Sequence, residues 1–386
     1  MRETLSRSSR SALVAAAVLS IAAGSGCSRT GGDPIAAQEK GAPDIVLREY
    51  EPRSMLVTKE TNVPRARYRA IDNHNHLREA DPAKAIAVMD ETGVAQVVNL
   101  DGGFGENLDR TIERFEKKYP GRFLTYARPD WSKINDPDFG AQAAAELERG
   151  VKAGAHGLKI NKALGLQLKD ANGKLIAVDD PRLDPLLAKA GELGIPIEIH
   201  IGDPAAFFTP LDRFNERFDE LQLRPEWLFY PGYPSLEEIV KQGERVVSRH
   251  PKTTFIGAHM GWYAENLAAV GAMLDKYPNY YIDIDARLSE LGRQPYTARR
   301  FIIKYQDRIL FGTDTPPRTN AYRLYWRFLE TDDEYFDIAE SHHRQGRWPV
   351  HGLYLPDDVL EKLYYKNAVK LIPGASIEGL KRSPAS

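Results

Sequence analysis

The chain has 386 residues, 42% hydrophobic and 27% charged, a composition that suits a folded protein and argues against disorder over most of its length. The length corresponds to about two or three average domains or one large α/β barrel. Fifty-two basic and 54 acidic side chains leave a net charge of −2, which offers nucleic acid no general footprint. A mean hydropathy of −0.45 without a long apolar run excludes a polytopic membrane protein, and a single cysteine excludes a disulfide framework or a cysteine-rich metal site.

Residues 1–27 read as a bacterial export signal. Arg2, Arg7 and Arg10 form a basic start, Ala12 to Ala23 an apolar stretch too short to span a bilayer, and Gly24-Ser25-Gly26 leads directly to Cys27. Small residues before a cysteine resemble a lipoprotein processing box, which implies lipidation of Cys27; the box usually has Leu where Gly24 stands. The alternative is a plain secretory signal with an incidental cysteine. Either way the expectation is an exported protein, periplasmic or held at the cell envelope, touching membrane only through an N-terminal lipid. Residues 28–66 are polar and turn-rich and read as a tether.

From residue 69 short apolar runs alternate with amphipathic stretches. Strands are expected at 69–74, 95–100, 122–127, 156–160, 195–200, 254–259, 280–284 and 308–312. Each is followed by a helical stretch, at 82–92, 107–119, 139–152, 183–193, 235–249, 264–276, 296–305 and 321–329. Eight such units over roughly 260 residues match an α/β fold of the (β/α)8 TIM-barrel type. The rival doubly wound sheet lacks its G-x-G-x-x-G fingerprint. The barrel is expected over 67–375, with a helix at 357–371 outside it and a tail at 376–386.

Chemistry in such a barrel sits at the C-terminal ends of the strands. The first strand ends in His74-Asn75-His76, the fourth near Lys159, the fifth at His200, the sixth at His259 and the eighth at Asp314, so four of nine histidines fall at strand ends. Alternation along a strand places His74 and His76 on one face, with Asp72 one layer deeper. His74, His76, His200 and Asp314 make an N/N/N/O set suited to Zn²⁺ with a position open for water, and His259 is placed to move a proton. Lys159 is read as a strand-end cation for a carboxylate or the substrate, and Glu198 as an interior carboxylate. Arg287 suits a substrate carboxylate or a salt bridge. The loop 202–234 carries Phe207, Phe208, Phe214, Phe218, Trp227, Phe229, Tyr230 and Tyr233, enough for an aromatic lid or for packing on the rim. His250 suits a helix C-terminus, His342 and His343 a solvated stretch, and His156 and His351 have no assigned role.

Asp72-Asn73-His74-Asn75-His76, Glu198-Ile199-His200, Ile256-Gly257-Ala258-His259, Leu310-Phe311-Gly312-Thr313-Asp314 and Tyr364-Tyr365-Lys366-Asn367-Ala368 together resemble the amidohydrolase superfamily. The branch is the amidohydrolase-related one grouped with aminocarboxymuconate semialdehyde decarboxylase. The resemblance implies that His74, His76, His200 and Asp314 hold one divalent metal, Zn²⁺ foremost, and that His259 and Asp314 serve catalysis. It also implies a second metal if Lys159 is carbamylated. The expected activity is hydrolysis of an amide, ester or lactone in a small carboxylate-containing molecule. The alternatives are a non-oxidative decarboxylase of the same branch and a non-catalytic binding lipoprotein. Substrate identity and homo-oligomerisation stay open.

Overall fold

The computed structural model of the chain describes residues 45, 46, 49, 50, 52–338 and 345–379. The export signal with Cys27, and His342 and His343, lie outside the described residues. The chain divides into two units, 1–56 and 57–386. In the first, the described residues are exposed, and Ser54 Oγ accepts a hydrogen bond from the Leu56 amide at 3.1 Å. No helix among the described residues is long and apolar enough to cross a membrane.

The second unit contains eight parallel strands in sequential order: β1 (Ala70–Asn75), β2 (Val94–Asn99), β3 (Phe123–Ala127), β4 (Gly157–Ile160), β5 (Ile197–Ile199), β6 (Phe255–Gly257), β7 (Tyr280–Asp283) and β8 (Ile309–Leu310). The Asn73 amide donates to Phe311 O and the Asp314 amide to His74 O, both at 2.8 Å, bringing β8 back against β1. The sheet is therefore a TIM barrel. Parallel neighbours require a crossover, and helices supply it between successive strands. The first shows how local sequence sets an element. Asp81 Oδ1 accepts from the amides of Ala83 and Lys84, Pro82 opens helix Pro82–Thr92, and Gly93 closes it at φ +93°. The expected helix at 107–119 becomes Gly105–Ile112 and a widened turn, Glu113–Lys117, which sets Phe115 edge-on to Phe123 at 5.1 Å.

One expectation is corrected on β1. Asp72 does not share a face with His74 and His76. It accepts from Thr313 Oγ1 at 2.7 Å and from Tyr322 OH at 2.8 Å, the latter on the outer helix Thr319–Glu330. The β1–β2 register shifts between Asp72 and Asn75, and the consecutive side chains of Asn73 and His74 both reach Asp283. A bulge has broken the two-residue alternation just before the histidine pair. Burial pushes the Asp72 carboxyl up to about 7 against the pull of its hydrogen-bond donors.

The opposite end of the barrel is tied to the C-terminal segment. His156, preceding β4, bonds to Glu116 at 2.8 Å and to the Pro373 carbonyl at 2.7 Å, while the Ser376 amide donates to Gln96. Burial alone would lower the imidazole's pKa, but the Glu116 contact outweighs it and raises it. A raised folded pKa means stability that is present below about 6.5 and lost as pH rises through the folded value. His156→Gln is therefore expected to lower the melting temperature at pH 5.5 and to converge on wild type at pH 9. Melting curves across that range check it; a constant offset would mean that the imidazole's charge contributes nothing.

Candidate metal centre

The mouth at the C-terminal ends of the strands concentrates imidazoles and carboxylates. His74 is fully buried at its centre. Its Nδ1 lies 3.0 Å from Asp283 Oδ2, 3.1 Å from Asp285 Oδ2 and 3.4 Å from Glu198 Oε1. Its Nε2 lies 3.1 Å from Lys159 Nζ and 3.6 Å from Asp314 Oδ1. Gly312 permits this approach of the eighth strand end, because a Cβ there would stand 2.8 Å from the His74 Cβ.

His76 Nε2 lies 3.3 Å from the same Asp314 oxygen, and its Nδ1 faces Asp101 at 3.1 Å. Arg128 holds Asp101 from behind at 2.6 Å. Burial opposes ionisation of Asp101, yet His76 and Arg128 draw its carboxyl down to about 2. A carboxylate fixed on Nδ1 orients the ring and leaves Nε2 for the site. His200 Nδ1 lies 3.2 Å from His259 Nε2, and His200 Nε2 lies 3.2 Å from Asp203 Oδ1. His259 Nδ1 lies 2.9 Å from Asp285 Oδ2.

Four ligand atoms, one each from His74, His259, Asp285 and Asp314, lie within 4.8 Å of one another; a second close group joins His74, Glu198 and Asp283. His76 and His200 stand outside these two groups, although each touches a member of the first. Asp285 was not anticipated as a site residue. The available signal was its place two residues beyond Asp283, the same spacing that separates His74 from His76.

Proton bookkeeping shows that the donor set suits a cation. Burial drives the His200 and His74 imidazoles well below their usual pKa, so both are neutral near pH 7. Neutral His200 carries one N–H for its two contacts, with Asp203 and with His259, and so leaves a nitrogen lone pair in the cluster. Asp285 Oδ2 indeed lies close to two ring nitrogens yet makes no well-directed hydrogen bond to either. A divalent ion on nitrogen and oxygen donors would relieve this shortage, and neutral imidazole with ionised carboxylate is the state that binds metal.

The strand-6 reading needs one adjustment. β6 stops at Gly257, and His259, Met260, Gly261 and Trp262 follow with φ of +59°, +57°, +65° and +71°. Left-handed non-glycine residues cost about 1–2 kcal/mol each. The turn is held because the His259 amide faces Asp283 Oδ1 at 2.9 Å and Asp285 Oδ1 at 2.8 Å, and Trp262 Nε1 donates to Ile199 O at 2.7 Å. That last bond joins the turn carrying His259 to the strand end before His200.

A family model for amidohydrolases matches residues 56–374. The chain belongs to the amidohydrolase family. Its members include hydrolases and decarboxylases. Among solved structures, a candidate amidohydrolase from Staphylococcus aureus superposes with a TM-score of 0.50 at 16% identity, over 78% of this chain and 99% of that one. A 5-carboxyvanillate decarboxylase from Novosphingobium aromaticivorans, complexed with manganese and a nitrobenzoic acid, gives 0.48 at 13%, over 81% and 99%. A candidate 2-pyrone-4,6-dicarboxylic acid hydrolase from Acinetobacter baumannii, with citric acid bound, gives 0.45 at 14%, over 78% and 98%. At these identities the likeness concerns the fold. No curated protein matches the sequence.

Lys159 is buried, and desolvation lowers its amine, although surrounding carboxylates resist. Arg287 is buried as well. It donates to Ala286 O at 2.8 Å and acts electrostatically on Glu290 and Glu265. The aromatic loop packs largely on itself: Phe207 stacks on Trp227 at 6.0 Å, and Phe229 meets Phe208 at 5.3 Å.

Proposed function

We propose that this amidohydrolase-family enzyme is a metal-dependent hydrolase of an amide, ester or lactone bond in a small carboxylate-containing molecule. His74, His76, His200 and Asp314 would hold the ion, with His259 and Asp285 beside them. Bound there, a divalent metal would polarise a carbonyl and bring the pKa of water toward neutrality.

The observation that carries hydrolysis is the state and position of Asp314. Burial disfavours its ionised form, but the imidazoles of His74, His76 and His259 outweigh burial and lower its pKa. Its side chain is 28% exposed, unlike the fully buried His74 beside it. An ionised carboxylate at the open side of the cluster can accept a proton from water. Decarboxylation would give that carboxylate no proton to accept and would need only an acid that delivers one to carbon. His259, backed by Asp285, supplies a second proton-transfer group for the leaving atom. Burial lowers the pKa of the Lys159 amine, and its Nζ stands 3.1 Å from His74 Nε2, where a carbamate would add a ligand for a second ion. The sequence of residues 1–27 supports an exported, lipid-anchored setting.

The test is a set of carboxylated lactones, esters and amides offered to protein loaded with zinc or manganese, followed by acid release, beside aromatic carboxylates followed by carbon dioxide release. Expected is metal-dependent hydrolysis that ends on chelation. Carbon dioxide release without hydrolysis would overturn the reading in favour of a carboxy-lyase.

A further inference from the structure

His200 meets two neighbours through its two ring nitrogens. Nδ1 stands 3.2 Å from His259 Nε2, inside the centre, and Nε2 stands 3.2 Å from Asp203 Oδ1, behind it. Asp203 is buried and belongs to neither close ligand group. Its other oxygen, Oδ2, accepts from Lys162 Nζ at 2.6 Å. The two residues come from different strand ends, Lys162 just beyond β4 and Asp203 just beyond β5. Lys162 also meets the return stretch of the aromatic loop, its ammonium 5.8 Å from the ring centres of both Trp227 and Phe229. The Phe229 amide donates to Phe207 O at 2.7 Å, which binds that return stretch to the one that follows Asp203. One cation thus braces the start and the return of the loop against the carboxylate behind His200.

We infer that Asp203 is a positioning residue that sets the tautomer of His200, and that Lys162 fixes the face Asp203 presents to the ring. A carboxylate can only accept and an ammonium can only donate. With Lys162 on Oδ2, Oδ1 is left to take the Nε2–H of His200, and the single proton of the neutral ring is used there. The Nδ1 lone pair then faces His259 and the centre. That this lone pair serves a metal rests on the function proposed above; the tautomer rests on the contacts alone. The isosteric substitution Asp203→Asn separates the two residues' parts. Lys162 would keep the amide oxygen, the amide N–H groups would turn to His200 Nε2, and the ring would carry its proton on Nδ1, where a ligand atom is needed. Removing Lys162 as well frees the amide to turn its oxygen back to Nε2, so the second substitution repairs the first.

The full chain, stripped of metal, would be compared as wild type, Asp203→Asn, Lys162→Met and the double variant. Long-range proton–nitrogen NMR reads the His200 tautomer, its signals assigned by their absence in His200→Gln, and zinc affinity is measured against a competing chelator. Expected is a proton on Nε2 in wild type and in Lys162→Met, and on Nδ1 in Asp203→Asn, with zinc affinity reduced about 10- to 100-fold in Asp203→Asn. The double variant should return the proton to Nε2 and recover zinc affinity to within about fivefold of wild type. A proton on Nδ1 in wild type, or a double variant no better than Asp203→Asn, would overturn the positioning role. So would weaker and then restored zinc binding with the proton on Nε2 in all four proteins, because net charge alone would then account for the affinities. The expected tautomer pattern in a protein that binds no zinc would instead leave the positioning role standing and remove the metal-dependent reading.

Discussion

Protein carrying His74→Ala is expected to lose its bound metal, from about one equivalent to below a tenth, and at least about a thousandfold in kcat/KM, roughly 4 kcal/mol of barrier at 1.36 kcal/mol per decade. The reason is its position. One nitrogen faces Asp314 and Lys159 and the other faces three carboxylates, so every close ligand group in the centre includes His74. Truncation would leave acids repelling one another around a gap. His259→Asn, compared in parallel, is expected to keep its metal within a factor of two while kcat falls about 10²- to 10⁴-fold, the range for removing a proton-transfer group. Plasma mass spectrometry and steady-state rates on the same samples separate the two roles. Metal lost from His259→Asn would make His259 a ligand, in line with its place in the cluster with Asp285 and Asp314. Full metal in His74→Ala would overturn the centre described here.

Much of this was legible before any coordinates. Parallel strands buried on both faces read as apolar runs such as Ala95–Leu100 and Ile195–His200, and polar or proline-led helix starts such as Asp81-Pro82 separate them, so the barrel repeat stands out. Residues that close strands are visible in the same way, which is why His74, His200 and Asp314 could be named. What stayed hidden depends on contacts across the barrel. Asp101, Asp203 and Asp285 are ordinary loop acids in sequence, and only the fold brings them onto His76, His200 and His259. The bulge on β1 was invisible because alternation was assumed to continue through Asp72. The left-handed run from His259 to Trp262 carries no sequence mark apart from Gly261, since histidine, methionine and tryptophan seldom adopt that conformation.

The largest expected effect on stability lies away from the candidate metal centre. Arg217, only 1% exposed, donates to Glu220 at 2.7 Å, to Ser289 Oγ at 3.0 Å and to Glu290, and its guanidinium stands 5.6 Å from the Trp348 ring. It joins the loop after β5, which carries the Asp203 partner of His200, to the segment after β7, which carries Asp285. Arg217→Ala would strip a fully buried Glu290 of its closest cation, and breaking such a pair typically costs about 3–5 kcal/mol. The lower end, about 3 kcal/mol, is expected because Arg287 still acts on Glu290. Urea unfolding would read it as a fall in midpoint at unchanged slope. The cost belongs to the stranded charge rather than to a lost attraction, since buried ion pairs barely exceed their own desolvation. Arg217→Met combined with Glu220→Leu and Glu290→Leu is therefore expected to recover most of the loss. Recovery of stability without recovery of kcat would then mean that the ionic link serves to hold Asp203 and Asp285 in place, whereas a loss below about 1 kcal/mol in Arg217→Ala would mean that water reaches Glu290 and the link is an ordinary surface pair.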